Sequence, residues 1–101
     1  MVEINWTDEA KIWVKEIFEY IAEDTKKKAK QVINEIYQKA TILKDHPEIG
    51  QKLTFWPDKN IRMLLFGHYR IVYWFKEKNR IDILGVYHGA LDLQRHLKIQ
   101  E

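Results

Sequence analysis

The stretch from Gly67 to Gly89 constrains this chain more than any other part of it. It reads Gly67-His68-Tyr69-Arg70-Ile71-Val72-Tyr73-Trp74-Phe75, then a charged turn Lys76-Glu77-Lys78-Asn79, then Arg80-Ile81-Asp82-Ile83-Leu84-Gly85-Val86-Tyr87-His88-Gly89. Aromatic and β-branched residues at nearly every position of the first run are the pattern of a central strand covered on both faces. The chain must therefore build a sheet around this pair of strands. Arg70 and His88 interrupt the apolar text, and burying them costs free energy unless each finds a partner or a task.

Upstream, Val2, Ile4 and Trp6 alternate with Glu3 and Asn5, as in a short strand with one buried face. Thr7 is placed to cap a helix whose first turn carries Asp8 and Glu9, where the helix dipole favours negative charge. Ala10, Trp13, Val14, Ile17, Phe18 and Ile21 then mark one apolar helix face. Asp24-Thr25 breaks this helix and caps a second, whose apolar face is Ala29, Val32, Ile33, Ile36, Tyr37, Ala40 and Leu43, ending at His46-Pro47. Loop or irregular strand is expected from Glu48 to Asn60, followed by strands at about Ile61–Leu65, His68–Lys76 and Arg80–Tyr87. A short helix or turn from Leu91 to Leu97 closes the chain. The order β-α-α-β-β-β predicts an α+β fold, with an N-terminal helical hairpin packed on a mainly antiparallel four-stranded sheet. The second face of Ile71–Phe75 then needs a cover, either the C-terminal tail folding back or a partner polypeptide.

At 101 residues, 46% of them hydrophobic and 32% charged, the expectation is one domain spanning residues 1–101. No apolar run approaches the ~18 residues of a membrane-spanning helix. The N-terminus lacks the basic and apolar regions of a secretory signal, and no cysteine is present for a disulfide or a thiolate metal site. A cytoplasmic protein with no membrane association is expected. The net charge of +2 permits an anionic partner without requiring one.

The element order and four marks resemble the RelE/ParE superfamily of toxins from type II toxin–antitoxin systems. The marks are the helix Ala29–Leu43 leading into His46-Pro47-Glu48-Ile49-Gly50, then Ile61-Arg62-Met63-Leu64, then Tyr69-Arg70-Ile71-Val72-Tyr73, and finally Ile83-Leu84-Gly85-Val86-Tyr87-His88-Gly89-Ala90-Leu91-Asp92-Leu93. The resemblance implies a growth-inhibiting toxin, neutralised in a hetero-oligomer by a cognate antitoxin whose disordered tail folds over it. RelE-like members are ribosome-dependent nucleases that cut messenger RNA, whereas ParE-like members poison DNA gyrase without a known catalytic site of their own. The long helical hairpin and the ending Val86-Tyr87-His88 through Asp92-Leu93 look ParE-like. Apolar Ile61 and Met63 stand where several RelE-like nucleases place lysines, and Leu91 stands where many relatives carry arginine. The ParE-like branch is therefore favoured. The alternatives are a RelE-like nuclease acting with ribosome and messenger RNA, and a non-toxic interaction module of the same fold.

Under the nuclease alternative, cleavage through a 2′-hydroxyl needs a base, an acid and a cation on the phosphate. Arg70 suits the cation role because guanidinium meets phosphate oxygens bidentately, His88 suits the acid, and Glu48 is the nearest candidate base. The resemblance likewise places Arg70 and His88 at phosphate-ligand and general-acid positions of some RelE-like nucleases. An odd-numbered loop after Phe75, such as Lys78-Asn79-Arg80, sets Arg70 opposite His88, whereas a two-residue loop puts them on opposite faces. The structural alternative pairs Arg70 with Asp82 or Asp92 and has His88 cap a turn.

For partner binding, the candidates are Arg62, Arg70, Val72 and Trp74, facing an acidic or amphipathic antitoxin segment. Arg62 is equally readable as an edge-strand charge that deters aggregation. Lys26-Lys27-Lys28 and Lys30 oppose the dipole of the second helix, and serve either an anionic surface or simple solvation. His46, His68, His88 and His96 lack metal-ligand spacing, so neither a metal nor a cofactor is expected.

Overall fold

A computed structural model describes residues 2–88. The chain runs β1 (Glu3–Trp6), α1 (Asp8–Ala22), α2 (Lys26–Thr41), a 3-10 turn (Ile42–Lys44), β2 (Gln51–Lys52), β3 (Ile61–Phe66), β4 (Tyr69–Lys76) and β5 (Arg80–His88). The expected tail helix from Leu91 to Leu97 lies outside the described residues.

Both helix starts form as their sequences dictate. The Thr7 hydroxyl oxygen accepts from the Ala10 amide at 3.1 Å, and the same hydroxyl donates to the Ile83 carbonyl at 2.6 Å. One side chain thus satisfies an orphan amide of α1 and fastens that helix start to β5. Thr25 caps α2 through the Lys28 amide at 3.0 Å. The α-helical part of α2 stops at Thr41, and the chain tightens into the 3-10 turn before His46-Pro47.

The sheet corrects the four-stranded expectation. It has five strands in the order β1-β5-β4-β3-β2, and it is mixed because β1 pairs with β5 in parallel. The additional strand, β2, is two residues long and pairs antiparallel with Arg62 and Met63. A pair that short leaves no period-two signature in the sequence. The parallel β1–β5 pairing is decided by how the helical hairpin returns the chain across the sheet.

The central strand is buried on both faces, as its composition requires: Ile71, Val72 and Tyr73 are all fully inaccessible. Ile71 and Tyr73 join Ala10, Val14, Ile36 and Leu43 of the helical layer. Val72 faces the other way, into a second cluster with Leu53, Ile61 and Tyr87, flanked by Trp56 and Trp74. Burying such a side chain is worth about 1.5–3 kcal/mol, which explains why the chain wraps Leu53 and Trp56 against that face.

The β4–β5 register decides where the candidate site residues lie. The turn is odd-numbered, Glu77-Lys78-Asn79, closed by the pair Lys76 and Arg80. Lys78 and Asn79 take the left-handed conformation, with φ of 63° and 56°. Farther along, the register shifts by one: Tyr73 faces Ile83 but Val72 faces Gly85, so Leu84 is an extra, bulged residue. Gly85 is required beside the bulge, since a Cβ there would overlap the Tyr87 hydroxyl. Beyond the bulge Arg70 faces Tyr87 and Tyr69 faces His88. The odd loop alone therefore does not set Arg70 opposite His88. The bulge inverts the later part of β5, and the two project from opposite faces.

Candidate functional site

The two flanking strands cover only one end of the sheet. β1 pairs with Arg80–Ile83 and β2 with Arg62 and Met63, both near the β4–β5 turn. At the opposite end, the β3–β4 hairpin and the last residues of β5 stand without a flanking strand among the described residues. Two connected concavities lie there. A groove of about 400 Å³ runs between α1 and the sheet, lined by Trp13, Glu16, Ile17, Tyr20, Tyr69, Val86 and His88. A cleft of about 210 Å³ at the hairpin tip is lined by Leu65, Gly67, His68, Tyr69, Arg70 and His88.

Tyr69 and His88 belong to both concavities, with ring centroids 5.4 Å apart, and the His68 ring lies 6.0 Å from that of His88. Burial pushes the Tyr69 hydroxyl above its usual titration range, with Tyr20 adding to the effect. Farther in, Trp13 meets the Tyr87 ring edge-on at 4.6 Å. The Tyr87 hydroxyl is buried without a hydrogen-bond partner among the described residues, and burial pushes its pKa to about 12.

Arg70 is half-buried and makes no hydrogen bond or ion pair among the described residues. The suggested partner Asp82 is committed elsewhere. It faces Trp74, four residues along β4 from Arg70, and binds Lys76 at 2.7 Å, Arg80 at 3.0 Å and Asn5 at 3.1 Å. Burial raises the Asp82 pKa, but the bonds from Lys76, Asn5 and Arg80 together outweigh it and the net shift is downward. The other suggested partner, Asp92, lies outside the described residues.

Glu48 sits apart from Arg70. Its carboxylate pairs with Arg62 at 3.2 Å, and Arg62 also donates to the Glu48 carbonyl at 3.0 Å, the Gly50 carbonyl at 2.8 Å and the Asn60 side chain at 2.8 Å. The Tyr73 hydroxyl reinforces this clamp, accepting from the Gly50 amide and donating to the Pro47 carbonyl, each at 2.9 Å. Arg62 and Tyr73 are paired residues on the helix-facing side, and Tyr73 is three positions along β4 from Arg70, about 10 Å by strand rise. The fold thus brings Arg70 and His88 to one cleft from opposite faces and leaves Glu48 out of it.

Of the partner-binding candidates, Arg62 is engaged in pinning the Pro47–Gly50 loop, so it is more than an edge charge. Val72 corrects the expectation of an uncovered face, since it is wholly buried beneath the chain's own Leu53 and Trp56. Trp74 is half-buried, with the Lys76 ammonium 4.4 Å from its ring centroid. Nothing in the sequence marks His68, or the flank formed by Trp13 and Tyr20, as site residues, yet all three line the two concavities. Tyr20 follows Trp13 by seven positions and Ile17 by three, so helical periodicity does place it beside the apolar stripe. Among the described residues, no cluster of three or more His, Cys, Asp or Glu side chains is placed to hold a metal ion. No described helix is long and apolar enough to cross a membrane.

A helical hairpin across a mixed sheet, with an aromatic groove and a cationic cleft at one end, makes this a small α+β protein. The family profile described as ParE toxin of type II toxin-antitoxin system, parDE, matches residues 4–93, and the chain belongs to that family. Its fold is similar to a solved structure titled "Chromosomal ParDE TA system from P. aeruginosa", with a TM-score of 0.73 and 19% identity, covering 88% of this chain and 97% of the other. None of the curated proteins compared matches the chain.

Proposed function

We propose that this ParE-family toxin inhibits growth by poisoning DNA gyrase through protein contacts, and that a cognate antitoxin neutralises it. The observation that carries this reading is the position of Glu48, clamped by Arg62 on the helix-facing side, away from Arg70 and His88. Among the described residues the base assigned to the 2′-hydroxyl chemistry of a nuclease, Glu48, is therefore not assembled with the cation and the acid. The groove along α1 suits an antitoxin segment, because Trp13, Ile17 and Tyr69 offer apolar surface beside a stretch of β5 that has no second neighbour strand among the described residues.

Adding the purified chain to gyrase and relaxed plasmid is expected to block supercoiling and accumulate linear DNA, with the antitoxin reversing both effects. After induction in cells, transcript 5′ ends should stay unchanged while DNA-damage signalling rises. The RelE-like reading has one observation in its favour, the shared cleft of Arg70, His68 and His88. Codon-phased transcript ends within minutes of induction, with gyrase unaffected, would establish that reading instead.

A further inference from the structure

The sheet ends on one side at β1, and that edge is open. The order β1-β5-β4-β3-β2 gives β1 a single neighbour, β5, among the described residues. The Glu3 and Thr7 amides donate to the Asn79 and Ile83 carbonyls on the β5 side. Strand alternation therefore turns the amide and carbonyl groups of Ile4 and Trp6 outward. Their side chains lie on the helix-facing side, half-buried against the core. The Trp6 ring meets Tyr37 of α2 at 4.4 Å, and Tyr37 keeps 38% of its surface exposed. An edge of this kind is a template for another strand, and proteins usually blunt it with lysine, proline or a bulge. β1 carries none of these. The strand at the opposite edge, β2, is only two residues long and carries Lys52.

We infer that β1 is a pairing edge for a second copy of this chain, the two β1 strands running antiparallel about a two-fold axis at Asn5. In this register Ile4 of each copy faces Trp6 of the other, and each facing pair exchanges both of its N–H···O bonds. It is the one antiparallel register that pairs every outward group of β1 with another of β1. On the helix-facing side it sets an aliphatic residue against an aromatic one on both sides of the axis, a favourable cross-strand pair. On the far face Glu3, the sole charge of β1, falls opposite Thr7 rather than another carboxylate. β1 is thus complementary to itself, which is what an isologous dimer requires. The two five-stranded sheets then continue as one.

The α1 groove stays outside this contact, because its β5 residues Val86 and His88 lie beyond the stretch Arg80–Ile83 that β1 covers. The inference does not depend on gyrase being the target. Stable dimers bury about 1,200 Å² or more, and a four-residue strand with one aromatic pair from each copy sits at the low end. The dimer is therefore reversible and dissociates on dilution.

The chain lacks cysteine, so one introduced thiol reports one contact. Asn5 sits opposite its own copy as a non-hydrogen-bonded pair, with Cα atoms about 4.5 Å apart and within disulfide reach. With an added oxidant, Asn5→Cys should cross-link into dimers at least about tenfold faster than Lys52→Cys on the opposite edge, since association concentrates its thiols. Both variants should keep a folded amide spectrum. Sedimentation of the unmodified full chain should show monomer giving way to dimer as concentration rises. Tyr37→Glu, which sets a carboxylate beside Trp6 in both copies, should shift that equilibrium toward monomer. Amide exchange supplies a check that needs no substitution. On dimerisation the Ile4 and Trp6 amides should become protected, whereas the Asn5 amide, turned toward β5, is protected in both states. A chain that stays monomeric at every concentration would overturn the inference. So would a chain that dimerises while Asn5→Cys cross-links no faster than Lys52→Cys. Protection of Ile4 and Trp6 that appears only when the antitoxin is added would assign the edge to that protein and overturn it equally.

Discussion

Individual side chains in this protein perform tasks that their residue type leaves undecided. Tyr73 is apolar in its ring, which is packed in the core, and polar at its tip, which holds both the amide of Gly50 and the carbonyl of Pro47. Tyr73→Phe keeps the packing and removes both bonds, so a loss of about 1–3 kcal/mol is expected by denaturant unfolding. Asp82 offers a test by pH. Its folded-state pKa lies below the ordinary value of 3.8, so its stabilising contribution is present above that value and is lost as pH falls through the folded pKa. Acid titration of stability should therefore show a decline below about pH 4 that Asp82→Asn flattens. At neutral pH the same variant should be less stable by about 2 kcal/mol, because Lys76 and Arg80 lose their carboxylate.

At the scale of elements, the β4–β5 hairpin depends on two local exceptions to regular strand geometry. The turn holds Lys78 at φ 63°, where an L side chain crowds the carbonyl that follows it. Lys78→Gly should stabilise the protein by about 0.5–1 kcal/mol, measured by thermal or denaturant unfolding, because glycine carries no such penalty. The bulge at Leu84 is the second exception, with Gly85 lying directly under the Tyr87 hydroxyl. Gly85→Ala should push Tyr87 from its place and weaken its edge-on contact with Trp13, with destabilisation of about 1–3 kcal/mol. The same variant should disturb the α1 groove, so any partner bound there should weaken in parallel. The bulge inverts the relation between Arg70 and His88 that an unbroken register would set. A one-residue register change moves every later side chain to the other face.

For the whole molecule, the sheet order places β4 between β5 and β3, with helices above and the Leu53–Trp56 segment below. Hydrogen exchange should therefore be slowest at Ile71–Tyr73 and fast at Gln51 and Lys52, the two-residue edge strand. Uniform protection across the sheet would contradict this layering. Much of the plan is legible in the sequence because it follows from local chemistry. The caps at Thr7 and Thr25, the apolar faces of both helices and the doubly buried β4 each follow from short-range spacing and side-chain type. Residues that depend on distant neighbours are not legible in the same way. Arg62 looks like an edge charge until the Pro47–Gly50 loop folds over it, and Asp82 looks like a partner for Arg70 until Lys76, Arg80 and Asn5 converge on it. His68 is an ordinary turn residue until the register of three strands sets it beside His88 and Arg70. Local spacing determined the elements and their buried faces, because period and capping act within a few residues. The tertiary structure alone decided the bulge, the parallel β1 and the membership of the tip cleft, because these depend on contacts between segments far apart in the chain.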